Sequence, residues 1–283
     1  MPSCSNQALR QRLDAAAPLF TAHAFVHDIT RDGLFDRLEP MTIRARDVVD
    51  LGAATGLSSR RLKSRFGGAR VLAVDVSLAM LRQHTSGWLR KPSRIQADAS
   101  ALPFADNSID VVFANLVLPF VDDVSRVLGE VARVLTEDGL FAFSSLGPDS
   151  LGALRRAFHG IDERDHVASF GDMHETGDQI VRAGLRDPVL DVDRLTLSYT
   201  SPESLFADLT ATGARNSLAG RPKGLMGQSR WQIVMNRLFA QPMPLEIELE
   251  LVYGHAFGGA PMQARGPIAI DPGSIGRRSS RSR

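Results

Sequence analysis

Between residues 47 and 144, short and almost wholly apolar runs alternate with longer stretches whose apolar residues recur at helical spacing. Residues 47–51, 70–74, 94–96, 110–114 and 140–144 read as strands, and residues 57–66, 77–85 and 124–135 as helices. Strands with no polar face need cover on both sides. The alternation therefore predicts a mostly parallel, Rossmann-like α/β sheet with helices on both faces. Ser77 is placed to cap its helix, and Asp138-Gly139 to turn the chain before the fifth strand. Upstream, Phe25, Ile29, Leu34, Phe35 and Leu38 predict a helix across residues 24–41, so residues 1–46 are expected to form a helical lid over the sheet. After residue 151 the pattern is less regular. Helices are expected at 151–158, 177–183 and 202–209, and strands at 189–192, 195–199 and 246–253, some completing the sheet and the rest forming an inserted cap. The main domain is thus expected over 47–257. Residues 258–283, rich in Gly, Pro, Ser and Arg, read as a flexible basic tail.

The 283 residues are 43% hydrophobic, enough for one large core. The formal net charge is only +1, so no overall field points to nucleic acid or membrane, and any electrostatic recognition must be local. The single cysteine, Cys4, rules out an internal disulfide framework and fits a reducing compartment. The longest apolar run, 111–121, is too short to span a bilayer, and no targeting segment is recognised. A soluble, cytoplasmic protein is expected.

The chemistry lies at the ends of the strands. Val48-Val49-Asp50-Leu51-Gly52-Ala53-Ala54-Thr55-Gly56 reads as strand, glycine turn and helix start, and Asp75-Val76 ends the next strand. A carboxylate about 20 residues past such a turn can accept hydrogen bonds from both ribose hydroxyls of an adenosine-containing ligand. Gly52 and Gly56 permit positive φ and close backbone approach. Ala54 stands where a third glycine is usual, and its methyl group is tolerable if φ stays negative. Asp50 either orients the turn or receives a ligand ammonium. Asp98-Ala99 follows the third strand, where a carboxylate can accept an adenine amine, and Asn115-Leu116 follows the fourth, where a reacting group would sit. All lie along the edge where open α/β sheets bind ligands.

Residues 50–56, Asp75, Asp98 and the run 110–115 resemble the successive motifs of class I S-adenosylmethionine-dependent methyltransferases. A narrower resemblance covers most of the chain. Residues 144–151, 172–174, 177–178, 183–189, 213–216 and 252–257 are similar to the malonyl-acyl carrier protein O-methyltransferases of biotin synthesis. The resemblance implies S-adenosylmethionine as cofactor, malonyl-acyl carrier protein as partner, and methylation of the free malonyl carboxylate to give a primer for pimelate. It departs at Phe120, where the family tends to carry Trp, and at Pro18-Leu19-Phe20, which lacks a tyrosine usual near the lid. Complex I assembly proteins that look like these enzymes leave two alternatives open, an arginine hydroxylase and a noncatalytic cofactor-binding assembly factor.

A carboxylate acceptor is ionised at neutral pH, because carboxyl groups titrate near roughly 4. It needs no general base, nucleophile or metal, but it does need a cation to place it. Arg155 is the first candidate for that role, Asn115 sits at the methyl-transfer rim, and Arg215 is the second candidate cation. Arg215, Arg221, Lys223, Arg230 and Arg237, with Leu225, Met226 and Trp231 between them and no acidic residue from 209 to 245, form a candidate docking strip for an acidic carrier protein. Asp172, His174, Glu175 and Asp178 can be read as a metal cluster, but a helix cap at Asp172 is the preferred reading. His255 is read as structural.

Overall fold

The computed structural model describes residues 6–84, 92–121, 123–215 and 226–259. Strands β1 (Asp47–Leu51), β2 (Arg70–Asp75), β3 (Ser93–Gln96), β4 (Ile109–Asn115), β5 (Leu135–Leu146), β6 (Arg186–Tyr199) and β7 (Leu245–Phe257) form one sheet in the order β3-β2-β1-β4-β5-β7-β6. The first five run parallel, and β7 lies antiparallel between β5 and β6. The helices among the described residues are α1 (Asn6–Ala16), α2 (Phe20–His23), α3 (Phe25–Leu38), α4 (Leu57–Arg65), α5 (Leu78–Arg82), α6 (Val124–Val134), α7 (Gly152–Phe158), α8 (Met173–Arg182), α9 (Pro202–Ala211) and α10 (Gln228–Phe239). None of them is long and apolar enough to cross a membrane.

The period-two alternation of β4 divides the core. Val111 and Phe113 pack with Leu34, Leu62 and Leu154 on one face, while Val112 and Ala114 pack with Leu128, Val131 and Ile180 on the other. Each fully buried Val, Leu, Ile or Phe side chain contributes roughly 1.5–3 kcal/mol, so covering both faces is what makes the parallel arrangement stable. The strand order reverses between β1 and β4, which opens a crevice at their carboxyl ends.

Several elements differ from the sequence reading for identifiable reasons. Residues 189–192 and 195–199 belong to one strand, β6, because Asp193 and Arg194 pair with Leu251 and Glu250 of β7 and leave no gap in the ladder. β5 begins at Leu135. Ile109 pairs with Leu135 and Val111 with Leu140, so the expected Asp138-Gly139 turn is a bulge within β5, not a loop ahead of it. α8 starts at Met173 because Asp172 caps it, accepting the Glu175 amide at 2.7 Å. Ser77 caps α5 as expected. No bounds for α10 were legible in the sequence: its residues read as a basic docking strip or as a solvated basic helix and loop.

The chain before β1 is anchored at both ends of the crevice. Ala16, Ala17 and Phe20 pack on Met80 of α5, and Ser77 donates to Asp14 at 2.6 Å. α3 lies on β4 and β5, with the Phe35 and Phe113 ring centroids 4.9 Å apart. Residues 260–283, most of the expected tail, lie outside the described residues.

Candidate active site

The turn after β1 holds three left-handed residues, Gly52 at φ +69°, Ala54 at +44° and Gly56 at +85°. The condition set for Ala54, a negative φ, is therefore not met. Its Cβ sits in a conformation that favours glycine, and the reason is that Asp75 fixes the turn from below. One Asp75 oxygen accepts the Ala54 amide at 2.9 Å and the other accepts the Ser77 amide at 2.7 Å. At Gly52, a Cβ would come within 2.4 Å of Val117 Cγ2, so the glycine is required sterically as well as conformationally. Burial raises the Asp75 carboxyl to about 6 against the pull of these two amides. Asp50 is buried and accepts the Ser59 hydroxyl at the start of α4, and desolvation raises it to about 7.

Above the turn is a cavity of about 260 Å³. All of the proposed cofactor residues except Asp50 and Gly56 line it: Gly52, Ala54, Asp75, Val76, Asp98, Ala99, Asn115 and Leu116. Asp50 is turned to Ser59 and lies beneath the turn, which is the orienting alternative of its two readings. The Gly56 Cα faces the His84 ring. Asp98 accepts both the amide and the hydroxyl of Ser100 at 2.8 Å, which fixes one carboxylate oxygen. Leu9, Leu13 and Phe20 close the cavity from α1 and α2, and Thr21 donates to Thr55 at 3.0 Å to tie that cover to the glycine turn.

Asn115 lines the first cavity at the expected rim and also ties elements together. Its Nδ2 donates to the His27 carbonyl at 2.9 Å and its Oδ1 accepts the Ser144 hydroxyl at 2.7 Å, so it locks α3 to the end of β4. The next residue, Leu116, takes φ +53° and directs its amide to Ser144. His27, held in place by this link, lines the first cavity and also a second, of about 580 Å³. His27, Leu116, Phe120 and Thr212 are common to both linings. Burial lowers His27 to about 4, so its imidazole is neutral at physiological pH, and its Nδ1 has no hydrogen-bond partner.

Arg155 does not line either cavity. Its guanidinium donates to the Pro148 and Ala168 carbonyls and so holds the turn after β5 to the loop before α8, a correction to its expected role. Arg215 and Arg12 do line the second cavity, and Arg12 donates to the Arg215 carbonyl. The basic strip is likewise altered. Arg237 donates to the Ala157 and His159 carbonyls at the end of α7, Arg230 lies 3.6 Å from Asp162, and Arg221, Lys223 and Leu225 fall outside the described residues. His255 stands edge-on to Phe257 in β7 and lines neither cavity. Among the described residues no three His, Cys, Asp or Glu side chains are grouped to hold a metal ion.

The sequence reading missed His27, Phe120 and Thr212 as a group, because they come from three separate segments and only the fold joins them. Trp231, named in the sequence only as an apolar member of the basic strip, stands opposite Phe206 at 4.7 Å in the second cavity.

Residues 49–143 match the family described as Methyltransferase domain. The malonyl-acyl carrier protein O-methyltransferase of Gallionella capsiferriformans is 37% identical, covering 93% of this chain and 94% of its own length. That of Halorhodospira halophila is 37% identical over 98% and 97%, and that of Laribacter hongkongensis 39% identical over 88% of each. Among solved structures, a putative methyltransferase from Bacillus halodurans superposes with a TM-score of 0.59 at 13% identity, covering 81% of this chain and 99% of its own. The [4+2]-cyclase SpnF superposes at 0.56 and 15% identity, over 92% and 99%, which shows that this fold also carries other chemistry.

Proposed function

The chain belongs to the malonyl-acyl carrier protein O-methyltransferase family, and on that footing we propose that it transfers a methyl group from S-adenosylmethionine to the free carboxylate of malonyl-acyl carrier protein. The product would be the methyl ester that primes pimelate and biotin synthesis. The observation that carries this reading is the wall shared by the two cavities. A donor in the first and an acceptor in the second meet at His27, Leu116, Phe120 and Thr212.

The first cavity fits the donor. Asp75, Asp98 and Asp123 line it against one guanidinium, Arg126, whose Nε is already given to the Ser100 carbonyl. Such a lining favours a ligand that carries a sulfonium and an ammonium. When bound, the donor supplies a methyl group activated by positive sulfur. Asp75 is assigned to the ribose hydroxyls, Asp98 to the adenine amine, and Gly52 with Ala54 to close backbone approach. Asp50 acts through the turn it orients.

The acceptor carboxylate is ionised without help, since carboxyls titrate near roughly 4. The residues around it therefore only need to orient it and exclude water. Positioning of this kind can lower a barrier by up to roughly 7–11 kcal/mol. Arg215 takes the anchoring role once assigned to Arg155. The neutral His27 ring at the shared wall adds no positive charge beside the sulfonium, so it leaves the donor unopposed. Leu9, Leu13 and Phe20 keep water from the donor side.

Incubation of malonyl-acyl carrier protein with the protein and S-adenosylmethionine should add the mass of one methyl group, seen by mass spectrometry of the intact carrier. No mass gain, with cofactor binding intact by calorimetry, would reject the reading. Arg215→Ala should raise the KM for the malonyl substrate by about tenfold, the worth of one charge-assisted hydrogen bond, while leaving cofactor affinity unchanged.

A further inference from the structure

Where the two cavities meet, an acceptor carboxylate must turn one oxygen toward the methyl group and must not sit among carbon atoms without a hydrogen-bond partner. Four described residues are common to both linings, and three of them keep no free side-chain donor. Leu116 and Phe120 offer only carbon, and their amides go to Ser144 and to the Val117 carbonyl. Thr212 gives its hydroxyl proton to the Asp208 carbonyl at 2.8 Å. His27 is left.

The two ring nitrogens of His27 are not equivalent. Nδ1 is buried without a partner, whereas Nε2, which also has no partner among the described residues, is not enclosed. The ring lies deep in the protein yet is partly accessible, so the surface it shows is the lining of the cavities. An orphaned N–H is rarer inside proteins than an orphaned acceptor, which puts the bare lone pair on Nδ1 and the proton on Nε2. The donor then faces open space. Its position is fixed, because the His27 carbonyl accepts from Asn115 at 2.9 Å and from the Thr30 hydroxyl at 3.2 Å. Phe20, which lines the donor cavity, stands edge-on to the imidazole with 4.9 Å between centroids.

We propose that the Nε2–H of His27 donates to the malonyl carboxylate and so sets which of its oxygens faces the methyl group. This deepens the function proposed above and rests on it. Each carboxylate oxygen has two lone-pair sites, so the oxygen that accepts from His27 can accept from Arg215 as well, and the other stays bare for attack. Neutrality matters here. A charged donor at the shared wall would repel the sulfonium and draw charge from the attacking oxygen, and burial keeps the imidazole uncharged. His27 holds its proton throughout, because the acceptor arrives ionised.

Two variants of the full chain separate this role from packing. His27→Phe fills the space beside Phe20 but has no donor, and His27→Gln packs less well but restores an N–H. With malonyl-acyl carrier protein, His27→Phe should lose about tenfold in kcat/KM, the worth of one hydrogen bond to a charged group. Most of the loss should fall on kcat, because Arg215 still binds a carboxylate that is no longer aligned. His27→Gln should recover most of it, and both variants should bind S-adenosylhomocysteine as tightly as the wild type by calorimetry. A packing role predicts the opposite order, with Phe more active than Gln. That order overturns the proposal, as does an unchanged kcat in folded His27→Phe. If neither variant folds, nitrogen NMR of the histidine rings in the wild type with S-adenosylhomocysteine gives an independent test. His27 should show the Nε2–H tautomer, and its Nε2 signal should move on addition of the N-acetylcysteamine thioester of malonate but not of acetate. An Nδ1–H tautomer, or the same response to both thioesters, overturns the proposal. A wild type that forms no ester removes the proposed function and this role with it, whereas an active wild type beside an equally active His27→Phe removes the role alone.

Discussion

Ala54 shows how a single residue records the demands made on a turn. Asp75 holds the Ala54 amide from one side and the Ser77 amide from the other, and the backbone between β1 and α4 must pass through three left-handed residues to meet it. Two of the three are glycine. The third carries a Cβ in a region that costs an L-residue roughly 1–2 kcal/mol. Replacing it with glycine removes that strain and returns up to about 1 kcal/mol through the freer unfolded chain. Ala54→Gly is therefore expected to stabilise the protein by about 0.5–1 kcal/mol, measured by denaturant unfolding at constant m-value. A loss of stability would mean that the turn does not hold φ near +44° in solution. The sequence disclosed the departure from the glycine pattern, but not its sign. The sign depends on where Asp75 sits relative to Ala54, and that is a property of the paired strands.

At the scale of elements, the strands whose faces are both buried were the most legible, because an unbroken apolar run has no competing reading inside a sheet of this kind. β1 occupies the residues expected, 47–51. Legibility failed where pairing overrides local pattern. The polar Asp193 and Arg194 look like a break, yet the ladder to β7 carries them through, with their side chains among exposed positions at the sheet edge. It failed again at α10, whose Val234, Met235 and Leu238 are buried while Ile233 and Phe239 stay exposed, so its apolar stripe is blurred by residues that face outward. Asn115 is one of the links between the sheet and the helices before β1. Asn115→Asp keeps an acceptor for the Ser144 hydroxyl but cannot donate to the His27 carbonyl, and it puts a negative charge against that oxygen. Hydrogen exchange along α3 should accelerate, reflecting about 1–3 kcal/mol of lost local stability, while amides of β1 and β4 keep their protection. Uniform acceleration across the sheet would contradict a link that serves α3 alone.

For the molecule as a whole, 33 basic and 32 acidic residues leave almost no net field to steer an acidic carrier protein, so attraction must come from the uneven placement of charge. The fold sorts the basic strip into two kinds of arginine. Arg237, exposed like Arg230, gives its Nη1 to the carbonyls that end α7, where it supports the wall of the second cavity. Arg230 stays largely exposed beside Asp162, within reach of a visiting surface. Arg230, held less closely than Arg237, is the better placed of the two for docking. The rate with malonyl-acyl carrier protein should therefore fall as ionic strength rises through about 0.05 to 0.5 M, the range over which the Debye length drops below the width of a charge patch. The rate with a small malonyl thioester should stay flat. Arg230→Gln should reduce both the carrier rate and its slope against salt. Arg237→Ala should instead lower thermal stability modestly, through the loss of two charge-assisted bonds of which one is open to solvent, a cost of about 1 kcal/mol. Parallel salt curves for the carrier and the small thioester would place the recognition in the acyl cavity alone, and the surface would then have no part in choosing the partner.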